Sequence, residues 1–506
     1  MSATRRNRLS RRIPFLLGLL LLAGAMPAMA QSFRVQCPTQ TALHPTASSE
    51  ANPVGGQIKC QHIAGSDGYA TMADGNQIYL FGFAPLSGQA DLLKGLPGTQ
   101  PAAVFNAPFN LVGVNDASKA PNNSGIVEPR QIMDTGVLFA NEPAPMLAID
   151  EDDELYLTLS NVGMIMRPDL FEQHTVHFHG YPQASSYFDG VPDASVAINI
   201  AGSFTYYYTS PDAGTYLWHC HITPPEHLQM GMVGQLFVRP RQNRAIAGAT
   251  LPSPTCGSGD GVMCNTPVPN AATDPAATTF LHQAGYRYVY NDGDGSTRYD
   301  VEVPLQLMGF DPNFHFVGMT FNPESFSTMK DKYFLLSGRS YPDTVGGDNL
   351  GTLDTLGRDT NPGSLSTWSV DSVQRAAQPQ PALITLDQSG CSTTGAKVPG
   401  ANCQTVALLR ISDVNVTEYH TLATVGIPMT VVGYHARLLR DLAGNNLYYK
   451  TNSITVGGGE SLDVLLDASA PEYKSGQTYF VYTTNLDHLS NDAENFGGMM
   501  TEIRIL

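Results

Sequence analysis

The 506-residue chain is poor in charge, and in positive charge above all. Only 14% of its residues are charged, with 28 Lys and Arg against 45 Asp and Glu, for a formal net charge of −17. Five of the basic residues (Arg5, Arg6, Arg8, Arg11 and Arg12) fall within the first 12 positions, which leaves 23 basic against 45 acidic in the rest. Such a surface repels phosphate backbones, so nucleic acid is excluded as a partner, while cationic partners and small substrates remain. Long apolar runs are missing too. The one candidate, residues 14–26, is too short to span a bilayer, so the mature chain is expected to carry no membrane span. No nucleophile motif of a hydrolase is present, and no repeat of short period. Cysteine is scarce at seven, and six of these form neighbouring pairs, 37/60, 256/264 and 391/403, which suit local disulfides in an oxidising compartment. Cys220 is left over. An odd cysteine outside the cytoplasm requires a reason.

The N-terminal arginines, the apolar run and the small-residue site Ala28-Met29-Ala30 together read as a signal peptide over 1–30. Ser10-Arg11-Arg12 before Phe15-Leu16 resembles a twin-arginine signal, the export route for proteins already folded around a cofactor. A periplasmic or extracellular location follows.

A hydrophobic fraction of 42% is ample for a packed core, and abundant Gly, Pro, Tyr and Phe favour strands joined by turns. Residues 31–64 read as an irregular segment, 65–240 as a first β-sandwich, 241–279 as a linker holding a small disulfide loop, and 280–506 as a second β-sandwich. Strand patterns in the first unit include APMLAID (144–150), ELYLTLSNVG (154–163), HTVHFHG (174–180), SVAINI (195–200), SFTYYYTS (203–210), GTYLWHCHI (214–222) and GQLFVRP (234–240). The acidic run Asp150–Glu154 reads as a solvated turn at a strand start rather than as a patch for a cation.

Six of the 13 histidines crowd into two stretches, HTVHFHG (174–180) and HCHITPPEHLQMGM (219–232). Side chains alternate across a strand, so His219 and His221 share one face and Cys220 points to the other. His177 and His179 likewise share a face, and His174 has the opposite parity. Two such strands side by side gather His177, His179, His219 and His221 on one side and place His174 with Cys220 on the other. Downstream stand His227 and, five residues on, Met232, with Met230 as a rival. Two imidazoles, a thiolate and a weak axial thioether match a blue, type 1 electron-transfer copper, which accounts for the unpaired cysteine.

At these residues the sequence resembles the multicopper oxidases. HTVHFHG is similar to their HPxHLHGH segment, HCHITPPEHLQMGM to their HCHxxxHxxxGM segment, and SFTYYYTSPDAGTYLWHCH to the strand that leads into the copper loop. The resemblance implies two cupredoxin-like, Greek-key β-sandwich domains, the second free of type 1 copper, as YFLLSGRSYPDT, LLRISDVNVTEYHTLATVGIPMTVVGYHARLL and ITVGGGESLDVLL indicate. It implies type 1 copper at His174, Cys220, His227 and Met232, type 2 copper at His177, and the type 3 pair at His179, His219 and His221. The implied activity is one-electron oxidation of a donor at type 1 copper, with electrons passed through Cys220 to His219 and His221 and on to dioxygen. The donor is a small molecule such as a phenol, a metal ion, or a redox protein such as a basic cytochrome.

Three departures from the family pattern are visible. The interval from Cys220 to His227 is two residues longer than the family's, the type 1 motif lies in the first domain instead of the last, and only two HxH pairs exist where a trinuclear cluster draws eight histidines from four. The second-half histidines, 282, 315, 420, 435 and 488, are scattered singly. Two other readings therefore stand beside the oxidase. One is a type 1/type 2 reductase resembling copper nitrite reductases, in which a neighbouring subunit of a homo-oligomer completes the site. The other is a blue-copper electron carrier that is not an enzyme.

Overall fold

The computed structural model describes residues 33–45, 56–92, 96–106, 129–182, 185–210, 212–245, 270–273, 286–320, 325–345, 382–391 and 403–506. The signal segment 1–30, the 256/264 cysteine pair, His282 and most of the linker lie outside them.

Strands dominate. In the first half, one sheet runs Gln77–Pro85, Ile58–Thr71, Glu154–Gly163, Ser203–Thr209 in spatial order, with Ile58–Thr71 parallel to Glu154–Gly163. The facing sheet runs Leu147–Asp150, Val233–Arg239, Gly214–His219, His177–Phe178. Neighbours that are distant in sequence mark Greek-key crossovers. Both sheets contribute to one apolar core: Ile63, Phe81, Phe83, Leu157 and Tyr206 from the first meet Leu147, Trp218, Leu236 and Val238 from the second. Period-two alternation explains this, since Phe204, Tyr206 and Tyr208 all project from one face of their strand. Each fully buried aliphatic or aromatic side chain contributes about 1.5–3 kcal/mol.

The second half repeats the plan. One sheet carries Tyr333–Leu336, Val301–Phe310, Val406–Asp413, Ser461–Asp467, Met429–Tyr434 and Arg437–Leu438. The other carries Ile384–Leu386, Met500–Ile505, Thr478–Thr483, His420–Val425 and Ser453–Val456. Leu305, Leu409, Val431, Val464 and Ile503 fill the space between them. The chain is thus all-β, built as two sandwiches. Disulfides Cys37–Cys60 and Cys391–Cys403 are formed, and Cys220 is free and buried.

Three local expectations give way. The segment thought irregular up to 64 is already strand from Ile58, because Cys60 and Ile63 are needed to seal the core. Residues 195–200 form no strand; Ile198 makes an isolated bridge to His174, and its carbonyl accepts from Asn161 Nδ2 of the strand Glu154–Gly163 (2.8 Å). The acidic run does turn into a strand start, but Glu151, Asp153 and Glu154 are buried and Asp150 and Asp152 half-buried. Glu151 accepts hydrogen bonds from the Ala213 and Arg241 amides and from Asn291 (3.0, 2.8 and 2.7 Å). Asp152 pairs with Arg241 and Arg244, while Glu154 accepts from Tyr207 and faces His44 (both 2.6 Å). The carboxylates of Glu151, Asp152 and Glu154 thus tie the segments before and after the sandwich to its end.

Candidate metal centre

Two sets of donors converge at one end of the first sandwich, on opposite sides of the chain at Cys220. The strand Gly214–His219 pairs in register with the short strand His177–Phe178, His177 opposite His219. Beyond His219 the backbone leaves the sheet, and Thr223, in the left-handed region at φ 38°, starts the short helix Pro224–Gln229. That helix takes up the extra length between Cys220 and His227, where the sequence reads as a loop. It turns His227 back toward Cys220.

On the inner side, His174, Cys220 and His227 are all buried, with one donor atom each within 4.8 Å of the others. The Cys220 Sγ lies 3.2 Å from His227 Nδ1 and 3.9 Å from His174 Nδ1. Metal bonds of about 2.0 Å to nitrogen and 2.3 Å to sulfur place N and S about 3.5–3.8 Å apart around one ion, between the two observed values. The Thr175 amide donates to Sγ at 3.4 Å, which favours a thiolate. Burial alone would raise the Cys220 pKa, but the charge of His227 and the hydrogen bonds from His174 and His227 outweigh it and hold the thiol well below its ordinary value. Among the described residues the His174 Nε2 has no hydrogen-bond partner, and that of His227 lies 3.6 Å from the partly exposed Glu172 carboxylate. Gly65 makes room for this site: a Cβ there would stand 2.6 Å from His174 Cδ2. Met230 and Met232 are both fully buried in the same core. The Met232 backbone joins the two ligand segments, its amide donating to His227 O (2.8 Å) and its carbonyl accepting from the Cys220 amide (3.1 Å), whereas Met230 O accepts from Phe81.

On the outer side, His177, His179 and His219 form a second group within the same reach. His179 Nε2 and His219 Nε2 are 2.9 Å apart, the separation of two nitrogens bound at about a right angle to one ion. His221 completes the patch, its ring 4.8 Å from that of His177 and nearly parallel to that of His219. The Nδ1 atoms are engaged elsewhere: His219 with Cys220 O (2.7 Å), His177 with Asp189 O (2.8 Å), and His179 with the Gly459 backbone. Such outer contacts fix the tautomer and leave Nε2 free. Burial lowers the pKa of His179 to about 4 and of His219 to about 3, so both are neutral and able to ligate at pH 7.

The second-half histidines divide. His315 is held between the Tyr79 and Gln229 carbonyls, His420 by Asp413 and Asn415, and His488 by Glu418 and Asn485, all as interior polar contacts. His435 instead lines a cleft of about 720 Å³ together with His177 and His179. Nothing in its sequence neighbourhood singles it out. Gly65, Glu172 and Gly459 also escape sequence reasoning, because their roles depend on packing across chain segments.

A soft thiolate with two imidazoles beside a patch of further imidazoles, at the end of a β-sandwich, defines a copper protein of cupredoxin layout. Residues 126–243 match the multicopper oxidase family model. Relatives include "Multicopper oxidase MCE" of Talaromyces pinophilus, 34% identical over 103 residues, covering 20% of this chain and 16% of that protein. "Laccase ustL" of Ustilaginoidea virens is 31% identical over 128 residues, covering 24% and 17%. The aligned stretch thus spans about a sixth of the length of these relatives. Among solved structures, the blue copper oxidase from Nitrosomonas europaea superposes over 89% of this chain and 86% of its own, with a TM-score of 0.49 and 16% identity.

Proposed function

We propose that this chain is an exported, copper-dependent oxidoreductase of multicopper oxidase type, with its copper-binding unit first and a second cupredoxin-like unit free of type 1 copper. The observation that carries the reading is the buried Cys220 Sγ set between His174 Nδ1 and His227 Nδ1. These three residues and Met232 would hold type 1 copper, and His177, His179, His219 and His221 would hold type 2/type 3 copper. Copper bound there would supply one-electron redox chemistry at the thiolate and reduction of dioxygen at the histidine patch.

The chain's own residues do the rest. Burial of Cys220 and His174 keeps water from the thiolate, and the Thr175 amide holds its negative charge. The partly exposed Glu172 carboxylate stands 3.6 Å from the buried His227 Nε2, between it and solvent. Cys220 is bonded through the backbone to both His219 and His221, and its carbonyl accepts from His219 Nδ1, so the two donor sets are joined by the shortest covalent route available. Export rests on the N-terminal signal pattern. Among the described residues no helix is long and apolar enough to cross a membrane.

A second reading draws on the ligand count: three histidines within mutual reach suffice for a single ion, as in a type 1/type 2 reductase. Copper per chain in the fully loaded protein separates the two. About four ions with dioxygen consumption supports the oxidase; two ions without it supports the reductase. Cys220→Ser should abolish the intense visible absorption of a copper–thiolate bond, and a band that survives would overturn the type 1 assignment.

A further inference from the structure

The hairpin joining Met429–Tyr434 to Arg437–Leu438 pairs Gly433 with Leu438 and Tyr434 with Arg437, leaving His435 and Ala436 as a two-residue loop. Both loop residues have positive φ, 48° and 56°. Turns of this kind are normally built from Asn and Gly, because a Cβ crowds the backbone in that conformation. The strain is held from outside. The His435 amide donates to Ser461 O at 2.9 Å, and Ala436 is buried in the core of the first sandwich. Its Cα and Cβ fill the place a side chain on Gly214 would take, 2.5 Å from that position. The second sandwich is therefore plugged into the first at this tip.

The plug delivers an imidazole to the metal cleft. The same cavity touches His177, His179 and Asp189 from the first sandwich and His435, Arg437 and Ser461 from the second. The His435 ring makes no hydrogen bond among the described residues. Its Nε2 stands 3.9 Å from Glu460 Oε1, and that oxygen already accepts from the Tyr434 hydroxyl. The ring packs edge-on against Tyr434, centroids 4.1 Å apart, and with only the Glu460 carboxylate near its Nε2 the strained backbone presents it to the cleft.

We propose that His435 is a metal ligand of this cleft, an imidazole donated by the second sandwich to copper held by the His177/His179/His219/His221 patch. The inference rests on the reading that this patch binds copper. It assigns the second sandwich a direct part in the metal site.

The test uses the full-length protein loaded with Cu(II), as wild type, His435→Asn and Ala436→Gly. Asparagine tolerates the left-handed backbone but offers no imidazole, and Ala436→Gly relieves strain while keeping His435. Copper per chain, affinity for the non-thiolate copper, its electron paramagnetic resonance signal and the copper–thiolate band are read together. His435→Asn is expected to weaken the non-thiolate copper about tenfold or more, or to remove an ion, and to alter its nitrogen hyperfine pattern. The thiolate band should persist, and Ala436→Gly should match wild type. Identical copper content, affinity and resonance in His435→Asn and wild type overturn the inference. A wild-type protein with no copper beyond the thiolate site overturns the reading of the patch, and the inference with it.

Discussion

His179, just past the end of the strand His177–Phe178, faces His219 with their Nε2 atoms 2.9 Å apart, and the register of that strand sets His177 opposite His219. Neither pairing is possible without the other, because a slip of one residue would turn every imidazole to the opposite face. His179→Gln should lower the copper content at the patch while leaving the copper–thiolate band in place. Elemental analysis with visible spectroscopy checks this, and loss of both signals together would mean that the two sites are a single folding unit.

Gly65 lies where its strand shifts register, and it leaves room for the His174 ring. Gly65→Ala should push that ring out of line, costing about 1–3 kcal/mol of stability and shifting or weakening the thiolate band. Urea unfolding and the spectrum of the loaded variant measure the two effects. A band of unchanged position and intensity would show that His174 has slack.

Arg410 is fully buried, with Nε 2.8 Å from Glu302 and one terminal nitrogen 3.3 Å from Asp463 and 3.2 Å from Thr215 of the first sandwich. Arg410→Met leaves those carboxylates short of a counter-charge, at a cost of about 3–5 kcal/mol. The midpoint of urea unfolding should fall accordingly. Adding Asp463→Asn should recover part of the loss, since one uncompensated charge is then gone.

The Glu142 carboxyl is buried with no hydrogen-bond partner among the described residues, and burial raises its pKa to about 8. Between the unfolded value near 4.5 and the folded value near 8, the unfolded chain has lost a proton that the native state keeps. Stability is thus expected to fall as pH rises through that window, by about 3 kcal/mol at pH 7 from this group. Glu142→Gln should flatten that slope. Equal slopes in variant and wild type, measured by unfolding at pH 5 and pH 7.5, would count against it.

The sequence by itself determined the strands and the pairing of donors within each motif. Period-two patterns such as ELYLTLSNVG locate a strand, Glu154–Gly163, to the residue, because alternation is a local property of the chain. Parity separates Cys220 from His219 and His221 for the same reason. Tertiary structure decided what depends on residues far apart in sequence. It buried the acidic run Asp150–Glu154 against arginines some 90 positions away, a pairing that nothing in the run itself announces. It wound the extra residues before His227 into a helix. It also carried His435, on a strained turn of the second sandwich, to the cleft of the first. Side-chain periodicity is encoded within a few residues, whereas the meeting of two sandwiches is a matter of packed surfaces and satisfied charges across the whole fold.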